Sequence, residues 1–208
     1  MKFPVCLAGG LSFFLSAMSS FTISAQTQTL SGDALAKNLK SGGYVIVMRH
    51  ASSPRETPDQ QTANADNLNH ERQLDEVGRS SAKAMGEALR RLKIPVGHVF
   101  SSPTYRALET IRLLGLPTPT VVPELGDGGQ SMQGATEAQA AWLQKRVKEL
   151  QKGTNILVVT HFPNMTRAFP QWTSGLADGE GLIFGPDGKG GSTLIARIKI
   201  EEWPHLGN

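Results

Sequence analysis

Two histidines stand at the ends of two separate apolar segments of this 208-residue chain. The first segment, VIVMRH, covers Val45–His50, and the second, ILVVTH, covers Ile156–His161. Each segment predicts a buried strand whose last residue emerges at the strand's carboxyl end, the edge at which open α/β sheets bind ligands. Arg49 directly precedes the first histidine. Two imidazoles and a guanidinium at one edge predict a pocket that holds a phosphate and a nucleophile that attacks it.

His50 is the candidate nucleophile, because a neutral imidazole nitrogen can attack phosphorus. The guanidinium of Arg49 can bind two phosphoryl oxygens at once, and its positive charge disfavours the imidazolium form of His50. His161, delivered by the second strand, can donate a hydrogen bond to a phosphoryl oxygen as charge develops. For an isolated Arg-His pair, a purely structural histidine at a strand end is the simpler alternative.

A third element, SSPTYRALET at Ser101–Thr110, joins the end of a strand to the start of a helix. Pro103 takes a position that is favoured in the first turn of a helix. The N-terminal N–H groups and the positive end of the helix dipole therefore face the edge of the sheet, which is a geometry that binds anions. Arg106 lies in the first turn and can reach the same anion.

The elements that must position these residues alternate along the chain. Helices are predicted over Ser31–Lys40, Asp75–Lys93, Pro103–Leu114 and Thr136–Leu150, with a short helix that begins at Pro163. Strands are predicted at Tyr44–His50, Val99–Ser101, Thr120–Pro123, Asn155–His161, Leu182–Phe184 and Thr193–Ile200. This alternation predicts an α/β fold, a three-layer α/β/α arrangement around a mostly parallel central sheet.

Two segments without periodic patterning remain, Ala51–Arg72 and the glycine-rich Glu124–Gly134. A loop as long as the first is usually functional or mobile. Because it leaves directly from the candidate nucleophile, we expect it to form part of the pocket wall. Its basic residues Arg55, His70 and Arg72 either extend the positive lining of the pocket or are surface charges.

The N-terminus has the layout of a secretory signal peptide over residues 1–25, with Lys2 followed by the uncharged, largely apolar Val5–Phe21. A retained anchor is the alternative, although glycines and serines interrupt the apolar stretch. Cleavage would remove Cys6, leave 26–208 as a single domain without disulfides, and place it in the periplasm or outside the cell.

The charge balance does not indicate a nucleic-acid partner. Without Lys2, 20 basic residues face 18 acidic ones, a formal net charge of +2. A nucleic-acid surface needs basic residues clustered on one face. The only cluster, Arg90-Arg91-Lys93, is typical of the solvated side of a helix.

In their order and spacing, Arg49-His50, the SSPxxRAxET segment and the late strand-histidine resemble the histidine phosphatase superfamily, in the branch of the phosphoglycerate mutases and small phosphohistidine phosphatases. Gln73–Arg79 is similar to the family segment that opens its first long helix, and Asp178-Gly179-Glu180 is similar to its late glycine turn. The resemblance spans roughly Tyr44 to Ile200 and implies a phosphoglycerate mutase-like fold.

The resemblance also implies roles for individual residues. His50 becomes the phosphohistidine, while Arg49, Arg106 and His161 hold the phosphoryl oxygens. Glu124 stands where the family usually places its acidic proton donor. Asp127 is the alternative donor.

One departure from the family pattern is Ala51, where the family usually has glycine. Alanine costs little there unless the position needs a positive φ.

These observations predict an exported phosphomonoesterase that acts on a small phosphomonoester or an envelope phosphosugar, without metal or other cofactor. Mutase activity is less consistent with export, and no stable membrane anchor is expected after signal cleavage. Two alternatives stay open. One is a phosphate-binding protein of the same fold without turnover, and the other is a zinc site on His50, His161 and a carboxylate, which nearby arginines would disfavour.

Overall fold

The computed structural model describes Met1, Leu30, residues 32–127 and residues 135–207. In these ranges the helices are α1 (Gly32–Ser41), α2 (Glu76–Arg91), α3 (Tyr105–Leu114), α4 (Glu137–Arg146) and α5 (Phe162–Ala168). The strands are β1 (Val45–Arg49), β2 (Val96–Ser101), β3 (Thr120–Val121), β4 (Asn155–Thr160), β5 (Gly181–Pro186) and β6 (Ser192–Ile198). Short 3₁₀ helices cover Pro123–Leu125, Pro170–Trp172 and Ile200–His205.

The strands form one six-stranded sheet in the order β3-β2-β4-β1-β5-β6. β3, β2, β4 and β1 run parallel, whereas β5 pairs antiparallel with β1 and β6 antiparallel with β5. The mostly parallel sheet that the sequence predicts is therefore confirmed. In the central pair, Arg49 of β1 lies opposite Thr160 of β4. This register brings the residues that follow, His50 and His161, to the same edge side by side.

Alternating side chains of the central strands divide the core between the two faces of the sheet. Ile46 and Met48 of β1 pack in a cluster with residues of α1, α2, α3 and the last 3₁₀ helix. Val45 and Val47 pack on the other face with residues of α4 and α5. Both faces are covered, as a parallel sheet requires, and the predicted three-layer α/β/α arrangement is confirmed.

The ends of two helices illustrate how local chemistry sets the boundaries. The side chain of Asp75 accepts a 2.7 Å hydrogen bond from the Gly78 backbone N–H, so α2 begins directly after this cap. The sequence predicts a helix that continues to Leu150, but α4 ends at Arg146. Backbone bonds of the i→i−3 type, such as Lys148 N–H to the Lys145 carbonyl at 3.1 Å, tighten the chain and stop the helix there.

The predicted signal peptide and the retained-anchor alternative concern residues that, apart from Met1, lie outside the described ranges. Both stay predictions, as does the extent of the domain over 26–208. None of the helices that the structure describes combines the length and apolar character needed to span a bilayer.

Candidate active site

The two predicted histidines meet at the carboxyl edge of the sheet. Their ring centroids lie 5.2 Å apart, with 64° between the ring planes. His50 is 3% exposed and His161 is 2% exposed. The His50 backbone N–H donates to the Thr160 carbonyl at 3.0 Å, so the ladder between β1 and β4 fixes the two rings relative to each other.

The hydrogen bonds of His50 define its tautomer. Its Nδ1 lies 2.8 Å from the Ala51 carbonyl oxygen, which can only accept, so Nδ1 carries the proton. Its Nε2 accepts a 3.2 Å hydrogen bond from Arg106 Nε, so the Nε2 lone pair is directed at the Arg106 guanidinium. Burial, and then the neighbouring His161, Arg106 and Arg49, hold the pKa of His50 well below its ordinary 6.5. The ring is thus a neutral imidazole with its nucleophilic nitrogen facing an arginine.

His161 faces Arg106 with the other ring nitrogen, Nδ1, whereas His50 faces it with Nε2. Its Nε2 lies 2.8 Å from the Ser102 hydroxyl, and its Nδ1 accepts from Arg106 Nη2 at 3.2 Å. Since Nδ1 faces a donor, the proton of the neutral ring sits on Nε2. Burial, followed by Arg106, Arg72 and Arg49, lowers the pKa of His161 to about 2. His161 can therefore donate from Nδ1 only after it gains a second proton, for which an incoming anion supplies the driving force.

Arg106 connects both histidines. It lies in the first turn of α3, is 5% exposed, and contacts His50 through Nε and His161 through Nη2. Its Nη2 also forms an ion pair with the Asp127 carboxylate, which lies 3.6 Å from His161 Nδ1. The carboxylate therefore occupies a position against the guanidinium that a phosphoryl oxygen can also take.

Arg49 approaches the site from β1. Its Nη2 forms a 2.5 Å ion pair with Asp178, and its guanidinium carbon lies 5.8 Å from the centroid of the Phe162 ring. Asp178 belongs to the predicted glycine turn, in which Gly179 adopts a φ of +70° and donates its N–H to the His50 carbonyl at 2.9 Å. A glycine at this φ avoids the strain that a Cβ would cause. The turn thus fixes both the backbone of His50 and the side chain of Arg49 beside it.

The loop after His50 forms a wall of the site, as predicted, and two sets of hydrogen bonds hold it in place. Arg72 donates through Nε to the Pro54 carbonyl at 2.7 Å and through Nη2 to the Ser53 carbonyl at 3.0 Å. The buried carboxylate of Glu109 accepts from the Leu74 backbone N–H at 3.0 Å and from the side chain of Asn64 at 3.1 Å. The loop is therefore anchored on α3, the same helix that carries Arg106.

Thr110, also on α3, is a positioning residue that sequence reasoning did not assign. Its hydroxyl accepts from the Ala51 backbone N–H at 3.1 Å and donates to the Arg106 carbonyl at 2.8 Å. It couples Ala51, the residue after His50, to the helix turn that carries Arg106. Thr110 is the last residue of the SSPxxRAxET motif, but its contact with the loop after His50 depends on the tertiary arrangement.

Ala51 is fully buried and is absent from the residues with positive φ, so its methyl group is accommodated.

Two adjoining cavities open at this edge. The first, the histidine cavity, has a volume of about 390 Å³ and includes Arg49, His50, Arg72, Asp127 and His161 in its lining. The second, the outer cavity, has a volume of about 530 Å³ and shares Arg55, Arg72 and Asp127 with the first. The structure therefore brings together four of the five predicted site residues, since Arg106 contacts both histidines at the boundary.

The structure separates the two candidate acids. Glu124 lies in the 3₁₀ turn Pro123–Leu125, where Leu125 points into the core and the Glu124 side chain is exposed. In the part of the chain that the structure describes, Glu124 lines neither cavity, whereas Asp127 lines both. The Asp127 side chain is 17% exposed. Residues 128–134 of the predicted glycine-rich loop lie outside the described ranges.

No group of three or more histidine, cysteine, aspartate or glutamate side chains with a metal-binding arrangement occurs among the described residues. The His50, His161 and Asp127 groups surround the Arg106 guanidinium instead. A positive charge at the centre of this group fits an anion and opposes a cation.

Comparisons with known proteins bear on the family and the fold. Residues 45–125 match the model of the histidine phosphatase superfamily (branch 1). The structure of the protein histidine phosphatase SixA complexed with tungstate is similar in fold, with a TM-score of 0.54, 21% identity, and coverage of 76% of this chain and 98% of that one. No curated protein matches the sequence at a significant level.

Two further structures share the fold. A mutant of phosphoserine phosphatase from Entamoeba histolytica, in complex with phosphoserine, has a TM-score of 0.50, 13% identity, and coverage of 76% and 98%. The product of the open reading frame Rv3214 from Mycobacterium tuberculosis has a TM-score of 0.51, 20% identity, and coverage of 73% and 95%.

The described chain thus has the three-layer fold of the phosphoglycerate mutase-like phosphatases. Within it, residues 45–125 belong to the histidine phosphatase superfamily (branch 1), whose members are phosphatases and mutases. This segment contains Arg49, His50 and Arg106, and the family recognised from the sequence is confirmed.

Proposed function

We propose that this protein is a metal-independent phosphomonoesterase that works through a phosphohistidine at His50. The observation that carries the proposal is the hydrogen bond from Arg106 Nε to His50 Nε2, because it places a phosphate-binding cation directly against a neutral nucleophile. An arginine can bind two phosphoryl oxygens in a planar fork. A phosphoryl group that takes over these donors leaves the Nε2 lone pair directed at phosphorus.

In the first step, His50 Nε2 attacks phosphorus in line as the bond from phosphorus to the ester oxygen breaks. Arg49, Arg72 and Arg106 stabilise charge on the transferring oxygens, which is the main source of catalysis in phosphoryl transfer. The dianionic phosphoryl group favours protonation of His161, whose Nδ1–H then donates to a phosphoryl oxygen. The product of the step is a phosphohistidine and an alcohol.

Asp127 is our proposed proton donor. Its carboxyl group lies beside Arg106 and His161 and lines both cavities, so it is within reach of the ester oxygen between them. In its protonated form it hands a proton to the departing alkoxide. In the second step the carboxylate accepts a proton from water, which attacks phosphorus, breaks the bond to Nε2 and releases phosphate.

The apolar N-terminal segment supports action outside the cytoplasm, on a phosphorylated small molecule or a phosphosugar of the cell envelope.

The decisive experiment uses the chain without residues 1–25 and a generic aryl phosphate. We expect turnover in the presence of a chelator and a phosphoenzyme that is labile to acid, and both should be lost in His50→Ala. A protein that binds phosphate but releases no phenol would instead be the binding protein considered as the alternative. Turnover that persists in His50→Ala would refute the phosphohistidine mechanism.

A further inference from the structure

Residues 124–126, which directly precede Asp127, are held through their backbone carbonyl groups. Asn164 of α5 donates through Nδ2 to the Glu124 carbonyl at 3.2 Å and to the Gly126 carbonyl at 2.8 Å. A carbonyl oxygen can only accept, so the part of the Asn164 amide that meets these two groups is its NH₂. The Asn164 side chain is fully buried. One side chain therefore ties both ends of the segment to α5.

Two further side chains complete these contacts. The hydroxyl of the buried Thr160, the last residue of β4, donates to the Leu125 carbonyl at 2.8 Å. Gln139 of α4 donates through Nε2 to the Gly126 carbonyl at 2.7 Å. Each backbone carbonyl of residues 124–126 thus accepts a hydrogen bond from a side chain of β4, α4 or α5. These three elements, which are distant in the chain, set the course of the backbone that leads into Asp127.

Asn164 stands on the helix that directly follows His161. The Met165 backbone N–H donates to the His161 carbonyl at 3.1 Å, so the first turn of α5 starts from this histidine. The carboxylate of Asp127 lies 3.6 Å from His161 Nδ1. Asn164 therefore connects the backbone that carries His161 to the backbone that carries Asp127, and constrains the distance between the two groups.

We propose that Asn164 is a positioning residue that holds Asp127 where its carboxyl group can protonate the leaving oxygen. The inference rests on the proposed function, in which Asp127 is the proton donor. Without the Nδ2 donor, the Glu124 and Gly126 carbonyls lose the partner that they share, and the segment can shift relative to α5. The rate loss should fall on substrates whose leaving group needs a proton and spare those whose leaving group does not.

The experiment measures kcat on β-glycerophosphate, an alkyl phosphate, and on p-nitrophenyl phosphate, an aryl phosphate. It uses the full chain as wild type, Asn164→Ala and Asn155→Ala. Asn155 is a matched control, because it is also fully buried and its Nδ2 also donates to two backbone carbonyls, those of Leu39 and Pro95, both at 2.7 Å. It begins β4, so it lies at the edge of the sheet opposite the histidines.

In Asn164→Ala we expect kcat to fall by about 10–10²-fold on the alkyl phosphate and much less on the aryl phosphate, since a misplacement of ~1 Å can cost about 10²-fold. Asn155→Ala should keep the wild-type ratio of the two kcat values, also where urea unfolding shows a comparable destabilisation. A loss of stability alone therefore does not reproduce the expected result.

A double-variant cycle tests whether Asn164 acts through Asp127. In the Asp127→Asn background the donor is absent, so Asn164→Ala should cause no further selective loss on the alkyl phosphate. If Asn164→Ala does not fold, Thr160→Val takes its place in both measurements. This variant removes the hydroxyl that holds the Leu125 carbonyl, and we expect the same selective loss.

The positioning role is overturned if Asp127→Asn shows the selective loss and Asn164→Ala does not. The same conclusion follows if Asn155→Ala shows that loss as well, or if Asn164→Ala adds its full loss in the Asp127→Asn background. Failure of the proposed function gives a different result. Asp127→Asn without a selective loss would contradict the donor itself and, with it, the role of Asn164.

Discussion

Acid should destabilise this protein through its active site, because two histidines are buried there as neutral rings. Burial is the leading cause that lowers the pKa of both, to about 2 for His161 and well below 6.5 for His50. In the unfolded chain each ring titrates at about 6.5. Below that pH the unfolded state binds more protons than the folded state, so folding stability is complete above pH 6.5 and is lost as the pH falls.

The size of the effect follows from the unfolded state. At pH 5, protonation of a histidine with a pKa of about 6.5 stabilises the unfolded chain by about 2 kcal/mol. A ring that stays neutral in the folded state gains no such stabilisation, so the free energy of unfolding falls by this amount. His50 adds to this loss in the same direction, because burial also holds its pKa well below 6.5. A loss of about 2 kcal/mol or more is a substantial part of the roughly 5–15 kcal/mol that stabilises an ordinary domain.

Urea unfolding at pH 8 and pH 5 measures this effect. The matched variants are His161→Gln, which removes one buried ring, and His98→Gln, which removes an exposed ring on β2. Between the two pH values, the free energy of unfolding of His161→Gln should fall by about 2 kcal/mol less than that of the wild type. His98→Gln should follow the wild type. A His161→Gln variant with the wild-type pH dependence would show that His161 does not resist protonation, and the electrostatic account of the site would be wrong.

Three further predictions test the site by substitution. Arg106→Lys keeps a charge but not the fork that contacts both histidines, so kcat/KM for an aryl phosphate should fall by about 10²–10³ in steady-state assays. Asp127→Asn should lower kcat by about 10²-fold or more on alkyl phosphates and much less on aryl phosphates, whose leaving group needs little help from an acid. Glu124→Gln should change kcat on neither substrate. Equal losses of kcat in the two variants would refute the assignment of Asp127 as the donor. Gly78→Ala places a Cβ 2.2 Å from the Ser52 carbonyl oxygen, so urea unfolding should show about 1–3 kcal/mol of destabilisation despite the better helix propensity of alanine.

The pattern of apolar segments was sufficient to predict the layers of the fold and the edge that carries the site. Val45–Arg49 and Asn155–Thr160 are strands at the predicted places because continuous apolar runs suit a sheet covered on both faces. Helix boundaries were predictable where a local cap sets them, as at Asp75. The end of α4 was less predictable, because the choice between another helical turn and an i→i−3 turn depends on small differences in free energy.

The positions of the two candidate acids show the limit of reasoning from sequence. Glu124 and Asp127 are three residues apart in a segment without periodicity, and spacing alone gave no reason to choose Asp127. The packing of Leu125 turns Glu124 outward, and the chain then brings Asp127 to Arg106. Neither the turn nor the contact is encoded in a local pattern, because each depends on elements distant in the chain.

The sequence by itself determined which side chains could do chemistry, and at which strand and helix ends they stand, because periodicity and caps are local properties. Only the tertiary structure decided which nitrogen of each imidazole faces Arg106, which carboxylate lines the site, and how residues of the loop after His50 line the two cavities. Those choices arise from contacts between residues far apart in the chain. The hydroxyl of Thr110 against the Ala51 backbone and the carboxylate of Glu109 against Leu74 are examples.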